Sequence, residues 1–350
     1  MTQPLPGPML RRMRAIHLTD GHGPEALTLV ELPDPVPGPG EVVVRMRAAS
    51  LNNRDLLLID GAYAPFRRPF IPLSDGAGEV VATGAGVARV APGDRVVLSY
   101  VTGWVAGGPT DERVARRLGG PDDGVLAELV RARAEAVVRV PAGLSDEEAA
   151  TLPIAGVTAY RALFVDERLA PGQSVAVQGT GGVASFAILL AKQAGARVIV
   201  TTRTREKVGR ARDLGADEVI ALDEHPAWDQ RVLELTGGRG ADRVIDVAGG
   251  RGLDRSIAAC RTGGTVHLVG FLDAPEASFD LTLAMRRVVT LRAASAGSSE
   301  DLEGLVRALA SSNVRPPVDQ VMPWTEVRAA VARMRERRHV GKIVLRFGAA

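Results

Sequence analysis

Residues 174–184 read SVAVQGTGGVA, and the rest of the chain is organised around them. The apolar run Val175, Ala176, Val177 ends in glycines and feeds an apolar-periodic segment over 183–194. That order is strand, tight turn, helix. Gly179 and Gly181 fill the first two places of a G-x-G-x-x-G/A pattern, and Ala184 fills the third. Gly179 permits the turn, Gly181 lets a phosphate approach the backbone, and the methyl of Ala184 lets helix and strand pack closely. The helix start at Gly182 and Val183 offers free N–H groups and a partial positive charge to a pyrophosphate. The stretch is expected to bind a dinucleotide. An ordinary βα turn is the alternative.

Downstream, βα units alternate. Strands are expected at 174–178, 197–201, 218–221, 243–247 and 265–269, with helices around 183–194, 205–214, 227–236 and 252–261. A sixth strand falls near 288–291. This alternation predicts a doubly wound parallel α/β sheet. Upstream, residues 14–100 read as β: short β-branched runs such as EVVVRMRAAS are broken by Gly and Pro clusters. Residues 101–125 are irregular and read as a surface lobe or lid. Ser145 and Glu148 form a capping box for a helix that Pro153 should end. Residues 155–164 read as a helix linking two domains.

A chain of 350 residues, 46% hydrophobic and 24% charged, has the balance of a globular protein with room for two domains. A net charge of +2 gives no reason to expect nucleic acid. The single cysteine, Cys260, excludes an intrachain disulfide and a cysteine-based metal site. No apolar run approaches a membrane span, and residues 1–13 lack the apolar core of a signal peptide. That segment reads as a loose tail, and a cytoplasmic location is expected.

Several ordered motifs carry a resemblance. GDRV stands at 93–96, LPIAGVTAYRAL at 152–163, GTGGVA at 179–184 and GKIVL at 341–345. From about residue 14 onward the chain resembles the medium-chain dehydrogenase/reductase superfamily. The resemblance implies a GroES-like β-rich catalytic domain, 1–150 with 293–350, around a Rossmann dinucleotide-binding domain, 151–292. In the zinc branch three positions carry catalytic ligands, and here they match Asn52, Ser74 and Ile154. None is a thiolate or imidazole, and the lobe that would hold a structural zinc has no cysteine. The five histidines, His17, His22, His225, His267 and His339, lack metal-like spacing. No metal is therefore expected. The chain looks like the zinc-free, quinone-oxidoreductase-like branch, which it resembles at Leu51-Asn52-x-x-Asp55 and Gly61-x-Tyr63. A homodimer paired through the sixth strand is implied as well.

Folds of this kind that prefer NAD carry an acid about 20 residues after the glycines, on the ribose 2′-OH. Here that position is Thr202, followed by Arg203, Thr204, Arg205 and then Lys207. A 2′-phosphate suits such cations, so NADP(H) is the expected cofactor, held by Thr202, Arg203 and Lys207. A solvated helix start is the alternative for that charge run. By resemblance, Thr158 is the hydroxyl beside the nicotinamide and Lys342 a basic side chain near the phosphates. Backbone at Val269, Gly270 and Phe271 is expected to bind the carboxamide, and Gly249 to leave room for the ribose.

Without a Lewis acid, oxidising an unactivated alcohol needs a strong base, and none stands out. Reducing an activated C=C needs only hydrogen-bond donors on the oxygen that gains charge. The expected reaction is hydride transfer to a quinone or enone in a cleft between the domains, bounded by Tyr63, Leu57 and the lobe with Trp104. Asn52 and Tyr63 are the expected donors, and Asp55 the residue that orients its neighbours. Capping is the alternative role for Asn52 and Asp55, and pocket lining for Tyr63. The alternatives in function are a zinc-free alcohol or aldehyde oxidoreductase, an enoyl-thioester reductase, and an NADPH-binding sensor or structural protein.

Overall fold

A computed structural model of the protein describes residues 11–63 and 67–348. The tail expected at 1–13 lies outside them up to residue 10. The chain forms two compact units, one of residues 1–150, 321–335 and 344–350, the other of 151–320 and 336–343.

In the first unit the long strand Glu41–Ser50 is central, and its inward residues Val42, Val44, Met46 and Ala48 are buried. Asp75–Thr83 covers one edge along its length, antiparallel. Leu129–Arg133 and Lys342–Arg346 cover the other edge in succession. The register shifts between Met46 and Ala48, opposite Gly78. A side chain at 78 would meet Arg45 O at 2.1 Å, so only glycine lets the strands close there. The short helix Asn53–Ile59 follows Glu41–Ser50 directly.

The second unit holds a six-stranded sheet in the order Glu218–Ala221, Arg197–Thr202, Ser174–Gln178, Ala241–Asp246, Cys260–Leu268, Thr290–Ala293. Every neighbouring pair is parallel. Ser174–Gln178 and Ala241–Asp246 are buried along their whole length, the pattern of strands covered on both faces. Strands after Ser174–Gln178 are added toward one edge and those from Ala241–Asp246 onward toward the other, which makes this pair the topological switch point where ligands bind in open α/β sheets.

Two expectations need correction. Pro153 does not end the helix begun at Asp146–Ala149. It opens the next helical run, Leu152–Val165, where the missing N–H costs nothing. That run has α-turns at Val157–Tyr160 flanked by wider π-turns on both sides. The second unit does not stop at 292. The helix Ser299–Ala310 packs within it, its Leu305 against Gly156 and its Gly304 against Tyr160. Among the described residues, no helix is long and apolar enough to cross a membrane.

Candidate functional site

In the second unit, Ser174–Gln178 ends at Gly179, whose φ of 76° is left-handed and favours glycine. Gly179 N donates to Thr201 O at 2.9 Å, which anchors the turn to the next strand. The helix Gly182–Gln193 begins immediately, with Gly181 at its N-cap and no acidic side chain in its first turn. Its first N–H groups are left for an anion. Val183 sits within that first turn, and buried Ala184 packs the helix down.

Lys342 is brought to this turn from far along the chain. Gly341 N donates to Thr180 O at 2.9 Å, and the Lys342 side chain lies over Gly182. A phosphate at the helix start therefore has a cation within the same unit. Sequence reasoning placed Lys342 by resemblance alone.

At the switch point, a set of buried groups that sequence reasoning missed shapes the loop after Ala241–Asp246. Asp246 accepts from the amides of Ala248 and Gly249 at 3.0 and 2.8 Å, and from Ser256 Oγ at 2.6 Å. Gln178 Oε1 accepts from Val247 N and Ala248 N, both at 3.2 Å, while its Nε2 donates to Ser256. Together they hold Gly249, at φ 61°, beside Gly270 and Phe271. An acid at the end of a buried strand was the available signal. The amides of Val269 and Gly270 both donate to Asp246 O. Phe271 is half exposed.

The other expected cofactor contacts fall as follows. Thr158 is buried, and its Oγ1 accepts from Ala296 N at 2.9 Å. Thr202 ends its strand buried, with Oγ1 donating to Thr204 O. Arg203 is exposed. Lys207 Nζ donates to Arg337 O at 2.6 Å and His339 O at 3.2 Å, so its ammonium is drawn to backbone carbonyls. Arg205 pairs with Glu224.

In the first unit, Asn52 is the N-cap of Asn53–Ile59 and Asp55 is the third residue of that helix. Asp55 Oδ2 accepts from Asn52 N at 2.7 Å, closing a capping box. The helix-capping role is therefore real for both, and Asp55, itself buried, acts on Asn52.

Arg54, next to Asp55 in the chain, is held by several segments. Its Nη1 donates to Ser74 Oγ and Gly119 O, each at 3.0 Å, and its Nη2 to Gly120 O. Its guanidinium carbon lies 5.3 Å from the Tyr63 ring centre and 5.1 Å from that of Tyr100. The helix, the Tyr63 segment, Ser74 and the lobe thus converge on one cation. Burial pushes the Tyr100 phenol up to about 12 against the pull of Arg54, so it stays a neutral hydroxyl. Trp104 is buried within the lobe, its indole N–H on Gly107 O at 2.8 Å, so it packs the lobe and does not bound a substrate surface.

The residues at the three zinc-branch positions do not fit the metal. An amide, a hydroxyl engaged by a guanidinium, and an isoleucine supply no N or S ligand set. Among the described residues, no three His, Cys, Asp or Glu side chains come together to hold an ion.

A doubly wound sheet with a phosphate turn at its switch point and a β-rich unit beside it in sequence define a nicotinamide-cofactor-binding dehydrogenase fold. Residues 38–142 match the model of the alcohol dehydrogenase GroES-like domain, and residues 182–311 match that of the zinc-binding dehydrogenase. A zinc-type alcohol dehydrogenase-like protein of Schizosaccharomyces pombe is 36% identical over 88% of this chain and 91% of its own. The chloroplastic quinone-oxidoreductase QR1 of Triphysaria versicolor is 31% identical over 95% of this chain and 98% of its own. The crystal structure of a putative alcohol dehydrogenase from Sinorhizobium meliloti 1021 superposes with a TM-score of 0.91 at 39% identity, covering 97% of this chain and all of that one. The chain is an oxidoreductase of the medium-chain dehydrogenase/reductase superfamily.

Proposed function

We propose that the protein is a cytoplasmic NADPH-dependent reductase that transfers hydride to a quinone or other activated C=C bond without a metal. The observation that carries this reading is the donor set of the first unit. Where a zinc enzyme needs ligands, this chain holds Asn52, Ser74 and a guanidinium. Such groups stabilise charge on an oxygen by donating hydrogen bonds, which suits an enolate and gives no base for removing an alcohol proton. The likeness to a quinone-oxidoreductase supports the same substrate class.

When bound, the dinucleotide supplies the hydride. The helix start at Gly182 and Val183, with Lys342 beside it, holds the pyrophosphate. Arg203 would meet the 2′-phosphate, with Lys207, held by Arg337 O and His339 O, in a lesser role and Thr202 in the place where NAD folds carry an acid. Gly249 gives room to the ribose, and Thr158 and the backbone at 269–271 face the nicotinamide. Hydride addition to the electron-poor carbon would move the C=C pair toward the carbonyl carbon and the C=O π pair onto oxygen, giving an enolate. The Asn52 amide and Tyr63 hydroxyl donate to that oxygen, and Asp55 fixes Asn52 through the capping box. The proton that completes reduction comes from Tyr63 or solvent.

We also propose a homodimer. Thr290–Ala293 is the edge of the parallel sheet, and Val288, Met285 and Leu281 beside it are exposed apolar side chains. Light scattering at micromolar concentration should give twice the chain mass; a single-chain mass overturns the dimer.

The test of function is NADPH consumption with a panel of quinones, enones, aldehydes and enoyl thioesters. Turnover of quinones or enones is expected. A fast aldehyde rate with no quinone or enone rate, or stoichiometric zinc in the purified protein, overturns the reading.

A further inference from the structure

We propose that Arg54 supplies the positive charge of the acceptor site, and that the site therefore selects carbonyl compounds on which negative charge collects. This deepens the reductase reading and rests on its placement of the acceptor oxygen near Asn52 and Tyr63.

The argument begins with what surrounds the guanidinium. It is always protonated. Its Nη1 and Nη2 donate to a hydroxyl and to backbone carbonyls at 119 and 120, which fix it without neutralising it. Among the described residues, no carboxylate forms an ion pair with Arg54, whereas several other buried or half-buried arginines have one. Arg161 pairs with Asp166 and Asp301, Arg243 with Glu167, and Arg95 with Asp146. The adjacent acid, Asp55, turns Oδ2 to the Asn52 amide. The Tyr100 hydroxyl stays neutral, so it offers no countercharge.

Two further facts bear on Arg54. Tyr63 and Tyr100 both lie within cation–π distance of it, which holds the charge in place without quenching it. Its Nε is buried and has no acceptor. A charged N–H left in that state is costly, and such groups persist where function uses them. The guanidinium sits on the hydroxyl of Ser74, one of the three positions where the zinc branch carries ligands, and two residues along from Asn52, another of them. The chain thus has a built-in cation where its zinc relatives have a metal ion.

A test independent of turnover uses 4-nitrophenol, whose phenol and phenolate absorb at different wavelengths. It resembles the enolate in charge and shape once ionised. Titrated against the NADPH-loaded protein across its ionisation range, the phenolate should bind about tenfold more tightly than the phenol, lowering its apparent pKa on binding. Arg54→Met should abolish that preference. Arg54→Lys, which keeps the charge and loses the fork, should retain at least part of it. Melting temperature and NADPH affinity of each variant report folding separately, since the expected cofactor contacts all lie in the other unit. Equal binding of phenol and phenolate by the wild type, no binding of either, or an unchanged preference in a folded Arg54→Met overturns the proposal. A phenolate preference that depends on Arg54 without any quinone or enone turnover leaves the proposal standing and overturns the reductase reading instead.

Discussion

The side chain of Lys342 lies against Gly182 so closely that a methyl group on Gly182 would stand 2.7 Å from Lys342 Cδ. The same methyl would come within 3.2 Å of Ala155 Cβ. Glycine at the first position of this helix thus leaves room for a side chain 160 positions away, which an alanine would push aside. Gly182→Ala should displace Lys342 from the phosphate turn and raise the Kd for NADPH about tenfold. Lys342→Met should raise it roughly ten- to hundredfold, the worth of a charge-assisted hydrogen bond. Fluorescence titration with NADPH measures both. An unchanged Kd in Lys342→Met would remove the lysine from the cofactor site.

Arg203 is exposed at the end of Arg197–Thr202, where an NAD-preferring fold carries an acid. Arg203→Ala should weaken NADPH roughly tenfold and leave NADH within about twofold, because only the 2′-phosphate is lost as a partner. Lys207, held by Arg337 O and His339 O, should matter less to NADPH and more to melting temperature. Equal losses for both dinucleotides in Arg203→Ala would contradict the assigned contact.

In the proposed site Asn52 is the donor and Asp55 its support. Asn52→Ala should lower kcat by about 100-fold, in line with loss of one oxyanion donor, with a small change in KM. Asp55→Ala removes the carboxylate of a capping box and should cost about 1 kcal/mol of stability as well as activity. Quinone or enone kinetics and thermal melts separate the two. Loss of stability without loss of kcat in Asn52→Ala would make it a cap alone.

His267 lies wholly buried in Cys260–Leu268, and neither ring nitrogen has a hydrogen-bond partner. Burial, with Arg243 adding to it, lowers its pKa from 6.5 to about 4, against the opposing pull of Asp166 and Glu167. The folded state therefore favours the neutral ring, and the unfolded chain binds the extra proton first. Stability should be fully present above pH 6.5 and fall as pH drops toward 4, by at most about 3 kcal/mol. Denaturant melts of His267→Phe between these pH values should show a flatter pH dependence. A slope identical to wild type would mean that other groups govern acid unfolding.

The cofactor half of this protein was legible because its signals are local. Gly179, Gly181 and Ala184 lie within six residues, and strand and helix periods flank them on either side. The βα alternation needed no distant partner to be recognised either. The expected sixth strand came within two residues of Thr290–Ala293. The end of the unit was not legible, since the helix Ser299–Ala310 has the same amphipathic pattern whichever unit it packs on.

The acceptor half depended on contacts between distant segments. Asn52 and Asp55 could be named from a short motif, yet no motif shows what Arg54 between them meets. Sequence by itself determined the parallel sheet and the glycine turn at 179–184, because each follows from residue types at short spacing, while the reading of Asn52, Ser74 and Ile154 as zinc-branch positions came from resemblance alone. Only the tertiary structure decided that Ser74, Tyr63, Tyr100 and the carbonyls of 119 and 120 gather on a single guanidinium, and that Lys342 reaches Gly182. No periodicity encodes such meetings. They are fixed by where the folded backbone brings segments separated by tens of residues or more.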